Sequence, residues 1–297
     1  MKQRLFALFH TLGLTTFASW CHRHRVIFLC YHGVTKLSTR SPRDPKGLHV
    51  NHHRFAAQLD FLQQRYQIVS LSEYLTAQST GRHLPDYSAV LTFDDGFRNF
   101  LTVAAPLLMA RRIPATLFLI TDKATEASAD RGLEWTPEDD QAHLSWEEAR
   151  ILKDEMGFEI GSHTCSHSGL LTLSAKESER ELERSHHDLV TKLGVKAPSL
   201  SYPKGQYSKL LADDASRLGY ACAVTTGRGL NEHDHDLFSL GRTLVGDNDE
   251  IASFAVRISG LRWWLANLRD VFVGGPVETH QRAPIPAPRP AVRLTTK

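Results

Sequence analysis

Two short clusters in this 297-residue chain carry side chains suited to chemistry. Asp94 and Asp95 stand side by side ahead of Gly96, and His163 and His167 stand four residues apart with Cys165 between them. Two imidazoles and one carboxylate make a three-donor set with open positions, the pattern of catalytic zinc and of several other divalent ions. A second carboxylate beside such a set can take a proton. Neighbouring side chains of a strand point to opposite faces, so the two aspartates share one site only if the chain leaves the pleat there. Gly96 permits that turn. A separation of four puts His163 and His167 on one side of a helical turn and sends Cys165 the other way, where it reads as a small packed residue. Either cluster alone is weak, because Asp-Asp-Gly is commonly just a turn. The signal is that both follow predicted strands.

Holding these groups together requires strands that end at one rim. Residues 88–93 form a short apolar, β-branched run that stops at the aspartates, and residues 158–161 run directly into the histidine segment. Residues 26–32 follow the same grammar and finish at Tyr31-His32 before Gly33. Further strands are predicted at 68–70, 115–120, 199–202, 221–225 and near 237–243. Between them lie helical patterns. Asn51 caps a helix to Arg65 through Phe55, Leu59 and Leu62. Ser145 with Glu148 forms a capping box, and residues 175–193 end at Gly194. A polar stretch from Thr121 to His143, carrying Trp135, is long enough to fold over a site. Regular alternation of strands and helices predicts an α/β fold with a mostly parallel sheet, closed or nearly closed.

Composition sets limits on partners. With 41% hydrophobic residues and a formal net charge of +2, the chain can bury one large core or two modest ones and lacks the basic excess that advertises nucleic-acid binding. Cys21, Cys30, Cys165 and Cys222 are too scattered for a CxxC pair or a small disulfide scaffold and read as free thiols. Lys2 and Arg4 precede an apolar run that His10 interrupts, and no clean cleavage site follows, so residues 1–24 read as an amphipathic helical extension. Residues 25–270 are then a catalytic domain, and the Pro/Arg-rich residues 271–297 a disordered tail. A helix over 251–268 places Trp263 and Trp264 among arginines, a pattern that suits packing on the barrel or contact with a membrane surface. A cytoplasmic or inner-membrane-surface location is the reading, rather than export.

Thr92-Phe93-Asp94-Asp95-Gly96, His163-Thr164-Cys165-Ser166-His167 and Tyr202-Pro203-Lys204-Gly205, in that order, closely resemble the first three motifs of the NodB-homology polysaccharide deacetylases, carbohydrate esterase family 4. Cys30-Tyr31-His32-Gly33-Val34 resembles the branch with a Tyr-His pair near its start. The resemblance spans about residues 26–243. It implies a distorted (β/α) barrel and a divalent metal, zinc before cobalt, nickel, manganese or iron, in an enzyme that removes acetyl groups from N-acetylated sugars. On that resemblance Asp95, His163 and His167 are the metal ligands, Asp94 is the general base, and the backbone amide of Lys204 faces the oxyanion. Tyr31, Tyr202, Pro203 and Gly205 would line the substrate.

The chain departs from the family pattern at two positions. Ser201 stands where many members carry an arginine that orients the base, and Arg242 stands where a histidine often serves as general acid. Arg242 is therefore expected to supply the missing guanidinium to Asp94, and His32 to protonate the leaving amine. His233 and His235 are the other candidate acids. The resulting expectation is a metal-dependent N-deacetylase of an N-acetylglucosamine polysaccharide, oligosaccharide or lipid-linked glycan. The alternatives are hydrolysis of a non-sugar amide on the same site and a decayed site that only binds glycans.

Overall fold

The computed structural model describes residues 2–37, 44, 47–129, 142–227, 229–233 and 235–261. Strand Val26–Tyr31 pairs in parallel with Ser88–Phe93, and the parallel series continues through Thr116–Leu119, Glu159–Ser162, Leu200–Ser201 and Ala223–Val224. Leu240 bridges Val224, while Thr243–Leu244 pairs in parallel with Leu29 and Cys30 of the first strand. The segment 240–244 thus joins the last strand to the first, and the sheet curls into a distorted α/β barrel with helices outside. Leu230–Asn231 is the antiparallel exception, against Val26 and Ile27.

The two-residue period of the strands sorts every side chain. Ile27, Leu29, Tyr31, Ala89, Leu91 and Phe93 face outward and pack with helical residues such as Phe55, Leu59 and Leu108. Phe28, Val90, Phe118, Val224 and Leu240 form the apolar plug inside. Two residues further along the same strands stand Cys30, Thr92 and Arg242, all buried, and two further again stand His32 and Asp94. The interior therefore changes from hydrocarbon to polar toward the carboxyl ends of the strands, which is where ligand sites of parallel α/β folds open.

Local signals behave as their chemistry dictates. Asn51 accepts from the His53 amide at the start of His52–Arg65, Ser145 and Glu148 exchange bonds ahead of Trp146–Asp154, and Gly194 closes Ala175–Leu193 in the left-handed conformation. Elsewhere some expectations are corrected, some hold and some fall outside the described residues. Residues 121–143 do not begin as a loop: Thr121–Ala129 is helical, and Trp135 lies outside the described residues. The amino-terminal extension is two helices, Lys2–Thr11 and Leu14–Cys21, broken at Gly13 with φ of 75°. A helix covers Ile251–Ile258, whereas Trp263, Trp264 and the tail 271–297 lie outside the described residues. Cys30, Cys165 and Cys222 are free and buried, and Cys21 is free and exposed.

Candidate active site

The aspartates leave the pleat as their types require. Strand Ser88–Phe93 ends, Asp95 takes a φ of 71° and Gly96 a φ of 66°. That double left-handed turn swings Asp95 back beside Asp94 instead of letting it point outward. A side chain at Gly96 would bring its Cβ to 2.7 Å from Leu119 Cδ2, so only glycine fits there without displacement.

The histidines meet Asp95 by a different route from the one the spacing suggests. Residues 163–168 form no helical turn; Thr164 and His167 adopt φ of 65° and 60°. The loop is clamped from the neighbouring helix. Glu181 accepts from the amides of Cys165 (3.0 Å) and Ser166 (2.9 Å) and from the Ser166 hydroxyl (2.8 Å). His163 Nε2 comes to 3.4 Å and His167 Nε2 to 3.7 Å from the same oxygen, Asp95 Oδ1. Cys165 does turn away and donates toward the Glu181 carbonyl.

These donors suit a divalent cation. His163 Nδ1 lies 2.8 Å from the Ser201 carbonyl, which can only accept, so the ring proton sits on Nδ1 and the Nε2 lone pair faces Asp95. Burial holds the His163 imidazole down at about 4, against the pull of Asp94, so the ring is neutral and able to ligate at neutral pH. Asp95 Oδ1 is buried without a hydrogen-bond partner, and burial followed by the Asp94 charge pushes its carboxyl up to about 7. An orphaned carboxylate oxygen facing the His163 lone pair, with His167 Nε2 beside it, is what a cation would resolve.

Beside this set, Asp94 and Arg242 form a buried pair. Arg242 Nη1 donates to Oδ1 at 2.7 Å and Nη2 to Oδ2 at 2.6 Å. The remaining donors reach Thr92 Oγ1, Ser201 Oγ and the Thr225 carbonyl at 3.0, 2.9 and 3.0 Å. Burial alone would raise the Asp94 carboxyl, but Arg242 overrides it and holds it well below the usual range. The small side chain of Ser201 leaves room for the guanidinium, which arrives from the segment 240–244 that pairs with the first strand. His32 stands close by, with Nε2 4.0 Å from Asp95 Oδ2 and Nδ1 buried and unpartnered, and burial lowers its imidazole to about 4.

At the same rim, Lys204 is exposed with a φ of 59° in the turn Pro203–Gly205, which begins two residues after Ser201, whose carbonyl holds His163. Gly205 is required there: its φ is 66°, and a Cβ would lie 1.9 Å from Thr226 Oγ1. Pro203 is buried and fixes the turn. Tyr31 and Tyr202 do not line the site. Both follow the outward phase of their strands, both are fully buried, and their hydroxyls donate to Gln58 Oε1 and the Phe238 carbonyl. His233 and His235 are also away from it, held by the carbonyls of Arg82 and Ser239. Residues that the sequence reading passed over stand near His32 and His167: His49, bonded to Asn99, and His143, whose imidazole burial lowers to about 4. The rings of His49 and His143 flank Phe97 at 4.6 and 5.1 Å. Glu181 was missed as well. A lone acid on a charged helix carries no signal until the loop is seen against it.

Residues 81–223 match the polysaccharide deacetylase family profile. The poly-beta-1,6-N-acetyl-D-glucosamine N-deacetylase of Escherichia coli (strain K12) is 28% identical over 65% of this chain and 33% of its own length. This chain thus spans about a third of that curated relative. The Streptococcus pyogenes deacetylase PplD, solved in complex with acetate, superimposes with a TM-score of 0.67 at 26% identity, covering 79% of this chain and 98% of that one. IcaB from Ammonifex degensii shares the fold, with a TM-score of 0.63 at 24% identity over 78% of this chain and 97% of that one. Profile, sequence relative and PplD agree, and all three support the NodB-homology polysaccharide deacetylases, carbohydrate esterase family 4, as the family of this chain.

Proposed function

We propose that this protein is a zinc-dependent N-deacetylase acting on glycans built from N-acetylglucosamine. The observation that carries the proposal is the convergence of Asp95, His163 and His167 on one point beside the Asp94–Arg242 pair. The poly-N-acetylglucosamine activity named for the Escherichia coli relative supports the substrate class.

Asp95, His163 and His167 would hold the ion, which supplies Lewis acidity to a water and to the scissile carbonyl. The chain does the rest. Asp94 takes the water's proton on a lone pair that Arg242 leaves free, since an ionised carboxylate offers about four such sites and the guanidinium fork uses one on each oxygen. A base held this far below neutrality accepts a proton only from an acidified water, so Arg242 gives orientation at the expense of basicity. The Lys204 amide donates to the oxyanion as the carbonyl becomes tetrahedral. His32, neutral in the free protein, receives a proton during the cycle and passes it to the departing amine. A ring nitrogen of His32 and an oxygen of Asp94 lie within 4.8 Å, close enough for the proton to be handed on through one water.

Incubation of zinc-loaded protein with an N-acetylglucosamine oligomer, followed by mass spectrometry, tests this directly. Loss of acetyl groups with free acetate appearing is the expected result. Bound zinc with no acetate released from any N-acetyl glycan would move the activity to a non-sugar amide, and absence of both would leave a glycan-binding protein.

A further inference from the structure

Residues 3–21 present an apolar face that no other part of the described structure covers. Leu5 and Leu8 lie on the first helix and Leu12 in the turn after it, and Leu14, Phe17 and Trp20 lie on the second helix. Leu8 is 51% exposed, Leu12 65%, Phe17 58% and Trp20 52%. Six of the eleven exposed large hydrophobic residues among those described thus fall on two consecutive helices and the turn between them, whereas soluble surfaces scatter such residues singly. The opposite faces are anchored. Phe6, Phe9 and Ala18 pack with Val256 and Leu261, Ser19 Oγ lies 3.2 Å from the Tyr66 hydroxyl, and the Tyr87 amide donates to the Arg23 carbonyl at 2.7 Å. The helices are therefore seated on the domain by one side and offer leucine and aromatic residues from the other.

Charge selects what the face meets. Lys2, Arg4, Arg23 and Arg25 flank the patch, and no Asp or Glu occurs before Asp44. Asp86 and Glu232, which pair with Arg23 and Arg25, come from other parts of the chain and are themselves half-exposed. We propose that this helix pair docks the enzyme on an anionic lipid surface, with the leucine and aromatic face in the interfacial region and the basic residues against the headgroups.

The seat also fixes orientation. Tyr87 and Tyr66, against which the helices rest, lie at the amino end of strand Ser88–Phe93, while Asp94 lies at its carboxyl end. A six-residue strand is roughly 20 Å long. The active site then lies about that far from the seat of the helices, at the other end of the strand, so docking tethers the enzyme near a surface and leaves its mouth open to glycan in solution.

Vesicle co-sedimentation of the full chain tests this, with phosphatidylglycerol–phosphatidylcholine vesicles against phosphatidylcholine alone. A dye on Cys21, the one exposed cysteine, reports the environment of the patch. Binding to the anionic vesicles with a blue-shifted dye is expected. It should weaken in high salt and fall at least about tenfold in the Leu8→Ser, Leu12→Ser, Phe17→Ser variant, whose circular dichroism stays that of the parent. No partition of the parent, equal partition of the variant, or a sedimenting dimer that the variant splits would each overturn the proposal, the last by showing that a second copy covers the face. None of these readouts uses catalysis, so they hold whatever the substrate.

Discussion

Replacing Arg242 with methionine removes the cation from a carboxylate that is itself buried. All five guanidinium N–H groups are engaged in the parent: two on Asp94, and one each on Thr92, Ser201 and the Thr225 carbonyl. Breaking a buried pair from one side costs about 3–5 kcal/mol, because the remaining charge is neither hydrated nor paired. The pH dependence separates this cause from simple loss of packing. In the parent, Asp94 titrates below its unfolded value, so its contribution is fully present above about pH 4 and is lost as pH falls through the folded value. In the variant, burial acts unopposed and the folded value rises above the unfolded one. Protonation then relieves the strain, so the stability gap between parent and variant is widest at pH 7 and narrows toward pH 5, by about 1.4 kcal/mol per unit once the carboxyl titrates. Urea unfolding with divalent ions chelated measures the gap. Adding Asp94→Asn to Arg242→Met should recover much of the loss, since the unpaired charge disappears with it. A gap under about 1 kcal/mol at pH 7, or one that does not change with pH, would refute the reasoning.

Arg242→Lys keeps the charge but cannot reproduce the fork, so turnover should fall strongly while zinc content stays at parent level; an unchanged rate would remove Arg242 from the positioning role. Glu181→Ala frees the loop that carries His167, and zinc affinity by chelator competition should drop roughly 10–100-fold, with Glu181→Gln milder because it still accepts from the amides. Zinc uptake by the metal-free protein should weaken as pH falls through about 7, because a proton then competes for Asp95; flat affinity from pH 8 to 5.5 would mean that Asp95 is not a ligand. Gly96→Ala should destabilise the protein by more than about 1 kcal/mol in thermal or urea unfolding, since it combines a positive φ with a Cβ pressed on Leu119.

Strand positions, helix caps and the donor set were legible because each is written in local chemistry. Apolar β-branched runs ending in Asp94, His163 and His32 mark where the rim lies, and Ser145 with Glu148 or Gly194 after Leu193 mark helix ends by the bonds they make. The mistaken tyrosines were also decidable. His32 faces the interior, so Tyr31 one residue earlier must face the helices, and Ser201 inside puts Tyr202 outside by the same period. The geometry of the histidine loop was not legible: a spacing of four reads as a helical turn, whereas Thr164 and His167 at positive φ reach the same juxtaposition under the hold of Glu181. The second amino-terminal helix was hidden for a related reason. Gly13 breaks a run whose apolar pattern continues on both sides, and only the seat on Tyr66 and Tyr87 sets the two pieces apart.

The most direct measurement is the zinc content of Asp94→Asn beside that of Asp95→Asn, each purified and dialysed as the parent is. One ion per chain in the parent and in Asp94→Asn, with acetate release lost in both variants and zinc lost only in Asp95→Asn, is the expected result. A full equivalent of zinc retained by Asp95→Asn would place the ion elsewhere and contradict the site.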